Sequence, residues 1–436
     1  MSVQLGVAKV IFYGFACLHN YENVEFVTNS PERCETVLDT GELDTVGSYY
    51  NVLRNGDGYD LIFRDKMSIS GGSACFYNTE TQEMKKILQS QYLLTDNFCV
   101  IKPKDNDGYY AVGGEHNKSL HRIMGSSGPT INYRGRTIPS PEVYSQRHFN
   151  GLYLMHSKDL LHWDYVRKVP VISGIHPGQT DNFQGYSRFD SKISCFYSKR
   201  LEEYIIFVRA NMGRGRRWVQ TARSKDLIRW SPLQLLHMDG VDFNKDNYYC
   251  LEAMEYPDAD LFVGISAYTN KPRYPTETCI KLMFSKDGVH WIDRGSILET
   301  PTSADGYRNS VQPTCVFFDN GGDHYDMFLN ENYNRILTRN EGSNLVNYTI
   351  PKDRLVGVKA ADTGRVEFDM GIRSDRLIVN YDAHGYIKFT INDDPEEFFL
   401  QGNELNKEIV IDEKYIGQNV RIKAEMNNAI LYAFSS

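Results

Sequence analysis

A seven-residue pattern that begins with Ser-Lys-Asp and ends with Trp occurs three times in this chain of 436 residues. The copies are SKDLLHW from Ser157, SKDLIRW from Ser224 and SKDGVHW from Ser285, so their starts lie 67 and 61 residues apart. Each copy follows short apolar segments that are rich in β-branched and aromatic residues and bounded by turn residues, which is typical of strands. Four short strands in a module of about 60 residues indicate a β-propeller blade.

The repeated segment is open to two interpretations, a catalytic cassette or a structural turn. Ser and Asp side chains bind nearby backbone N–H groups and so stabilise turns, and the Trp offers a large apolar surface to cover the blade. A catalytic cassette has no reason to recur at near-equal spacing, so we predict a structural turn with His162 and His290 at the surface. Two copies have Leu where the third has Gly288, so we expect that a positive φ is not required at this position.

The modules on either side complete an all-β fold. Residues 47–65 fit a first blade and residues 308–330 a last one, which predicts a five-bladed β-propeller over residues 1–350. Residues 351–436 show alternating strands, which predict a small C-terminal β-sandwich with a hairpin turn at DAHGY (382–386). The best helix candidate is Thr81 to Gln89.

Composition and charge exclude several classes of protein. The formal net charge of −8 argues against nucleic-acid binding, which needs a basic face. No apolar run is long enough to span a membrane, so we expect a soluble protein, and its compartment and oligomeric state are not readable. Val10 to Leu18 is expected to be a buried strand, with a signal segment as the alternative. The eight cysteines lack zinc-site spacing, so we expect reduced core thiols, no metal and no cofactor.

Three stretches carry a resemblance to a known group of proteins. They are GRRWVQTARSKDLIRW, PKDRLVGVKAADTGRVEF, and DRLIVNYDAHGYIKFTI together with the terminal NAILYAF. The chain from about residue 90 onward resembles the five-bladed propellers of the arabinanase, levansucrase and invertase superfamily (glycoside hydrolase families 32, 43 and 68), with particular similarity to family-32-like proteins that carry a C-terminal sandwich. The resemblance implies a glycosidase with a carbohydrate substrate and three carboxylates on the innermost strands around a central funnel.

Carboxylates at the start of each module's first strand are therefore the catalytic candidates. Asp96 and Asp181 each begin a D-N-F sequence, and Glu252 lies inside the apolar segment YYCLEAMEYPD. We predict Asp181 and Glu252 as the acid and base pair that glycoside cleavage needs, with Asp96 as modulator. The alternative for the two aspartates is a turn cap, whereas a carboxylate inside an apolar strand needs a partner or a funnel to face. Glu255, three residues further on, is a second carboxylate in the same segment and competes with Glu252 as the candidate.

Other polar and aromatic residues are predicted to bind substrate. These are Arg188, Arg209, Tyr49, Arg308 and Asn309. Glu115 and His116 are further, weaker candidates. The basic stretch RGRRW (214–218) is expected to be a solvated hairpin loop, and the alternative is a contact for a carboxylated or sulfated sugar.

The sequence also departs from the superfamily pattern. It lacks the W-x-N-D-P-N and R-D-P signatures, and the first strand of blade one, SYYNVL, has Asn51 but no carboxylate. A non-catalytic glycan-binding or structural propeller therefore remains the alternative function.

Overall fold

The structure is a computed structural model that describes residues 6–43, 45, 47–65, 74–87, 97–104, 108–113, 130–133, 136–139, 151–167, 170–173, 189, 191–211, 216–242, 245–269, 278–299, 310–333, 342–392 and 394–436. β-Strands dominate these ranges, with single 3-10 turns at Phe15–Cys17 and Glu413–Tyr415. Within them, no helix has the length and apolar character that a membrane span requires.

The first large unit is made of sheets whose strands pair antiparallel, except for one short parallel pair of strands in blade four. The strands that precede the first blade are β1 (Lys9–Ile11), β2 (Asn20–Glu22), β3 (Glu25–Thr28) and β4 (Glu32–Asp39). Blade one comprises β5 (Ser48–Asn55), β6 (Gly58–Arg64), β7 (Ala74–Asn78) and β8 (Glu83–Ile87). Blade two comprises β9 (Phe98–Ile101), β10 (Tyr109–Gly113), β13 (Gly151–Ser157), β14 (Asp164–Tyr165) and β15 (Ile172–Ser173), while β11 (Thr130–Tyr133) and β12 (Arg136–Pro139) pair only with each other.

The other three blades follow the same plan. Blade three comprises β16 (Ser194–Ser198), β17 (Glu203–Asn211), β18 (Arg217–Ser224) and β19 (Gln234–Leu235). Blade four comprises β20 (His237–Met238), β21 (Tyr248–Glu255), β22 (Phe262–Tyr268), β23 (Cys279–Ser285) and β24 (His290–Leu298). Blade five contains β25 (Gln312–Asp319), β26 (His324–Glu331) and β27 (Asn344–Pro351), and its outer strand is β4.

The innermost strands of the five blades form a closed ring. Contacts run from β5 to β9, β16, β21 and β25, and then from β25 back to β5. The apolar faces of neighbouring blades pack together, as in the cluster that joins blade two to blade three. The all-β fold with a five-bladed β-propeller is confirmed, and the innermost strands surround a common axis.

The three repeated segments form turns between the third and fourth strands of their blades, counted outward from the innermost strand. In each copy, the Asp Oδ1 accepts the backbone N–H groups two and three residues further on. The indole N–H of the Trp donates to the carbonyl of the residue that follows the Asp. His162 and His290 have largely exposed rings, each bound to the Asp of its own turn. The prediction of a structural turn is confirmed.

The expectation about φ in this turn is wrong. Leu160 and Leu227 have φ of 64° and 62°, close to the 74° of Gly288 in the third copy. All three copies thus use the left-handed conformation, which costs a non-glycine residue about 1–2 kcal/mol. Both leucine side chains are buried in the cores between blades, and the hydrogen bonds of the Asp hold the turn, so tertiary packing offsets the strain.

Strands from the N-terminal part of the chain pair with strands that come much later in the sequence. Strand β4 pairs with β27, so a segment from the N-terminus completes blade five and closes the ring. Strands β1, β2 and β3 instead pair with strands of the C-terminal sheet. The division at residue 350 remains a prediction, but at the N-terminus the strand pairing joins residues 9–11, 20–22 and 25–28 to the C-terminal sheet.

The C-terminal unit is built from four long strands. They are β28 (Val356–Gly371), β29 (Arg376–Ile391), β30 (Phe398–Val410) and β31 (Asn419–Ser435). Register shifts interrupt the pairing near the middle of these strands, where a bulge lets a strand bend. Apolar residues from both halves of β28, such as Val358 and Phe368, meet in one core. The predicted β-sandwich is confirmed.

Two local predictions are wrong. Within Thr81 to Gln89, Glu83–Ile87 form the edge strand β8, because cross-strand pairing with β7 overrides the helical propensity of the segment. DAHGY is no hairpin turn, since β29 continues through it with a bulge. A side chain at Gly385 would come within 2.2 Å of the Asn427 carbonyl oxygen, so glycine lets the two strands approach there. At the N-terminus, the predicted buried strand over Val10 to Leu18 is confirmed only as far as Ile11, with Val10 buried. Beyond it the prediction is wrong, because the pairing with β31 ends at Ile11 and Phe15–Cys17 form a 3-10 turn without a buried residue.

Candidate functional site

A charged pair occupies the axis of the propeller, inside the ring of innermost strands. Glu252 lies in the middle of β21, and Lys192 lies two residues before β16 of the neighbouring blade. The Lys192 Nζ is 3.2 Å from Glu252 Oε1 and 3.3 Å from the Asn51 Oδ1 of blade one. Both charged side chains are at least 90% buried. Blades one, three and four therefore meet at a single ammonium group.

Burial controls the ionisation of this pair. Desolvation raises the pKa of Glu252 to about 7, although the neighbouring Lys192 ammonium acts in the opposite direction. Desolvation lowers the pKa of Lys192, but Glu252 together with the Cys99 and Cys315 thiols outweighs that effect, and the net pKa lies above its usual value. The carboxyl group is thus one that accepts and releases a proton near neutral pH, beside a permanently charged lysine.

The orientation of the Asn51 amide follows from its other contacts. Its Nδ2 donates to the carbonyls of Tyr49 and Ile62, at 3.2 Å and 3.3 Å. Its Oδ1 accepts the Val100 N–H at 2.9 Å as well as the Lys192 ammonium. The position on blade one where a carboxylate would be expected is therefore held by a neutral acceptor that faces Lys192.

Four cysteines surround the axis, one on the innermost strand of each of blades two to five. They are Cys99, Cys195, Cys250 and Cys315. Burial raises the pKa of every one of these thiols, so they are neutral and unreactive at physiological pH. All eight cysteines are free, and the described part of the chain holds no group of side chains that could bind a metal ion.

Glu255, which competes with Glu252 in the sequence, has a structural role. Its carboxylate accepts the Ser198 hydroxyl at 2.5 Å and the backbone N–H groups of Lys199 and Arg200 at 3.0 Å and 2.9 Å. These contacts fix the turn after β16 of blade three against blade four. Glu255 is thus committed to protein contacts, whereas Glu252 faces the axis.

Arg209 and Tyr49 are the two predicted substrate-binding residues within the described ranges. Arg209 lies near the end of β17, and its guanidinium packs on the Tyr249 ring with its carbon 4.4 Å from the ring centroid. Arg217 packs on the same ring at 4.9 Å. Tyr49 has a φ of 52° and accepts a hydrogen bond from the Tyr333 hydroxyl at 2.8 Å. Arg209 and Tyr49 are almost fully buried.

The other site candidates lie outside the described residues. These are Asp96, Asp181, Arg188, Arg308, Asn309, Glu115 and His116, and also Arg214 of the basic stretch. Two chain neighbours of these residues are described and contact each other, since Asn97 Nδ2 donates to the Phe189 carbonyl at 3.0 Å.

Sequence reasoning identified Glu252 but missed Lys192. The available signal was a lysine within SKISCFY, where the surrounding residues are small or apolar and a cation needs a buried partner. The partner itself could not be inferred, because Glu252 is 60 residues away and on another blade.

Comparison with known proteins finds likenesses of fold only. No family model matches the chain, and no curated protein matches it. Among solved structures, an N-acetylgalactosamine deacetylase from F. plautii in complex with blood group B trisaccharide is 14% identical, with a TM-score of 0.44 over 77% of this chain and 97% of that one. An α-L-arabinanase from Penicillium chrysogenum complexed with arabinobiose is 10% identical, with a TM-score of 0.37 over 75% and 98%.

A third structure extends the likeness along the chain. It is an exo-β-1,3-galactanase from Phanerochaete chrysosporium with galactose, 10% identical, with a TM-score of 0.38 over 93% of this chain and 99% of that one. At these identities and scores the likenesses carry no argument about activity. The strand pairing by itself defines the class, a five-bladed β-propeller joined to a β-sandwich.

Proposed function

We propose that this protein is a glycoside hydrolase-like protein that acts on a carbohydrate in the propeller funnel, with Glu252 as the general acid. The observation that carries the proposal is a carboxyl group at the propeller axis whose pKa is raised by burial to about 7. A general acid must hold a proton near neutral pH in order to give it to the leaving glycosidic oxygen. Burial supplies that property here.

Hydrolysis needs a second carboxyl group on the other side of the scissile bond. We assign that role to Asp181, with Asp96 as the residue that modulates the pair, and both assignments rest on the shared D-N-F sequence. The distance between the two carboxyl groups would then decide the stereochemistry. About 5–5.5 Å predicts retention and about 6.5–9.5 Å predicts inversion.

Substrate binding is proposed for the residues predicted from the sequence. In the blades that surround the axis, Arg209 packs on Tyr249 and Tyr49 lies beside Tyr333. Aromatic rings and guanidinium groups suit the apolar faces and hydroxyl groups of sugars. Arg188, Arg308 and Asn309 are proposed for the same role from their places in the sequence.

A non-catalytic glycan-binding protein is the second candidate, and one specific observation favours it. Among the described residues at the axis, Glu252 is the single carboxylate, and a buried lysine neutralises it. Asn51 stands on blade one where a hydrolase would be expected to carry an acid. Such a funnel could hold a sugar through hydrogen bonds without cleaving it.

The experiment compares hydrolysis and binding in matched variants. Wild type, Glu252→Gln, Asp181→Asn and Asp96→Asn are assayed on a panel of oligosaccharides and on aryl glycosides, with the exposed Glu42→Gln as control. We expect E252Q to lose about 10²–10⁴-fold in kcat on natural glycosides, and to lose much less on aryl glycosides whose leaving groups need no proton. Control-like hydrolysis of natural glycosides by E252Q would refute the assignment. Wild-type binding without turnover would establish the second candidate.

A further inference from the structure

The segment that carries Lys192 is clamped to the strand that carries Glu252. Ser191 Oγ donates to the Tyr249 carbonyl at 3.1 Å, and Ser194 Oγ accepts the Ala253 N–H at 3.1 Å. These contacts lie on either side of Glu252 along β21. The backbone of Lys192 is therefore held in a set position relative to the carboxyl group, independently of the ion pair itself.

The lysine ammonium is also held from across the axis. Asn51 can present only its oxygen to Lys192, because both hydrogens of its amide are directed at backbone carbonyls. An ammonium this deeply buried needs such partners, since removing one from a buried ion pair leaves an uncompensated charge. Lys192 thus contacts Glu252 on one side and Asn51 on the other.

Other titratable groups face the pair from each packed strand. They are the thiols Cys99 on β9, Cys195 on β16, Cys250 on β21 and Cys315 on β25. All four are kept neutral by burial, so none competes with Glu252 for the lysine near neutral pH. Within the described ranges, the charge at this point of the axis is that of Lys192 and Glu252.

We propose that Lys192 is a positioning residue for the funnel carboxyl group: its ammonium, which Asn51 holds from the other side, fixes Glu252 Oε1, so that Glu252 Oε2 is the oxygen that a bound ligand can reach. That a ligand reaches Glu252 rests on the function proposed above, whereas the contact between Lys192 and Glu252 does not depend on it. Through this contact, the lysine sets the pH at which Glu252 loses its proton. Its positive charge favours the carboxylate and opposes the effect of burial.

The test is a titration of the Glu252 carboxyl group that needs no substrate. Protein labelled with ¹³C at glutamate carboxyl carbons is titrated by NMR, and the Glu252 signal is assigned by its loss in E252Q. The wild-type midpoint is expected near pH 7. In Lys192→Met it should rise by about one to three pH units, because an opposite charge at this distance lowers a carboxyl pKa by that amount. An unchanged midpoint in K192M would overturn the proposal.

Two further variants serve as controls. Lys192→Arg retains the charge and should restore a midpoint near that of wild type, whereas the exposed Lys199→Met should leave it unchanged. If K192M does not fold, the double variant K192M/E252Q is compared with it. Removal of both partners should recover the folded state, because no buried charge is left alone. A double variant as unstable as K192M would show that the lysine has a different role.

Activity measurements separate this proposal from the proposed function. If the protein hydrolyses a glycoside, the alkaline limb of kcat/KM against pH reports the free general acid. That limb should move upward in K192M together with the NMR midpoint. If no glycoside is cleaved, the NMR shift still decides the role of Lys192, and only the catalytic assignment fails.

Discussion

The pH dependence of stability gives a direct test of the buried carboxyl group. Burial raises the pKa of Glu252 from 4.5 to about 7 in the folded protein. Between these two pH values the folded state binds more protons than the unfolded state, so stability falls as the pH rises. Replacement by glutamine keeps the shape of the side chain and removes this titration. The free energy of unfolding of Glu252→Gln should therefore increase, relative to wild type, as the pH rises.

The magnitude follows from the two pKa values. A pKa difference of one unit corresponds to about 1.4 kcal/mol. With a pKa of 4.5 in the unfolded state and about 7 in the folded state, the free energy of unfolding of wild type should fall by about 2.5 kcal/mol between pH 5 and pH 8. Near pH 5 Glu252 is protonated and neutral, like glutamine, so the two proteins should differ least there. By pH 8 wild type should have lost the full amount relative to E252Q.

The assay is urea unfolding followed by tryptophan fluorescence at half-unit steps from pH 5 to pH 8. Three of the four tryptophans, Trp163, Trp218 and Trp291, are buried in the propeller and report on its unfolding. Linear extrapolation gives the free energy at each pH, provided that the slopes of the two proteins agree. If the difference in free energy of unfolding between E252Q and wild type does not vary with pH, the conclusion that Glu252 titrates near neutral pH is refuted.

Two predictions concern backbone conformation. Leu227→Gly relieves left-handed strain of about 1–2 kcal/mol but removes a buried side chain worth about 2–5 kcal/mol, so it should destabilise the protein. An added Cβ in Gly288→Ala meets only ordinary contacts, so this variant should lose only about 1 kcal/mol, from left-handed strain. Urea unfolding measures both, and an L227G variant as stable as wild type would contradict the balance between packing and strain. Gly385→Ala places a Cβ 2.2 Å from a backbone oxygen, and we expect a loss of about 1–3 kcal/mol. Gly322→Ala, on a surface turn, is the matched control for calorimetry, and an equal Tm for both variants would show that the bulge at Gly385 can adjust.

The sequence determined the repeating elements of this protein. The Ser-Lys-Asp-to-Trp segments marked the turn between the third and fourth strands of three blades, because the Asp binds N–H groups only two and three residues away. Alternating strands marked the C-terminal sandwich. Glu252 could also be identified, since a carboxylate inside an apolar strand has few roles apart from pairing or facing a cavity.

Tertiary structure decided the features that depend on contacts between distant residues. The left-handed conformation of Leu160 could not be predicted, because the packing that offsets its strain comes from neighbouring blades. Strand β4 joined blade five only through closure of the ring, which no local pattern of apolar residues encodes. Lys192 acquired its partners in the same way. Glu252 and Asn51 lie on two other blades, and an ammonium group pairs with whichever acceptors the folded chain brings within about 3 Å of it.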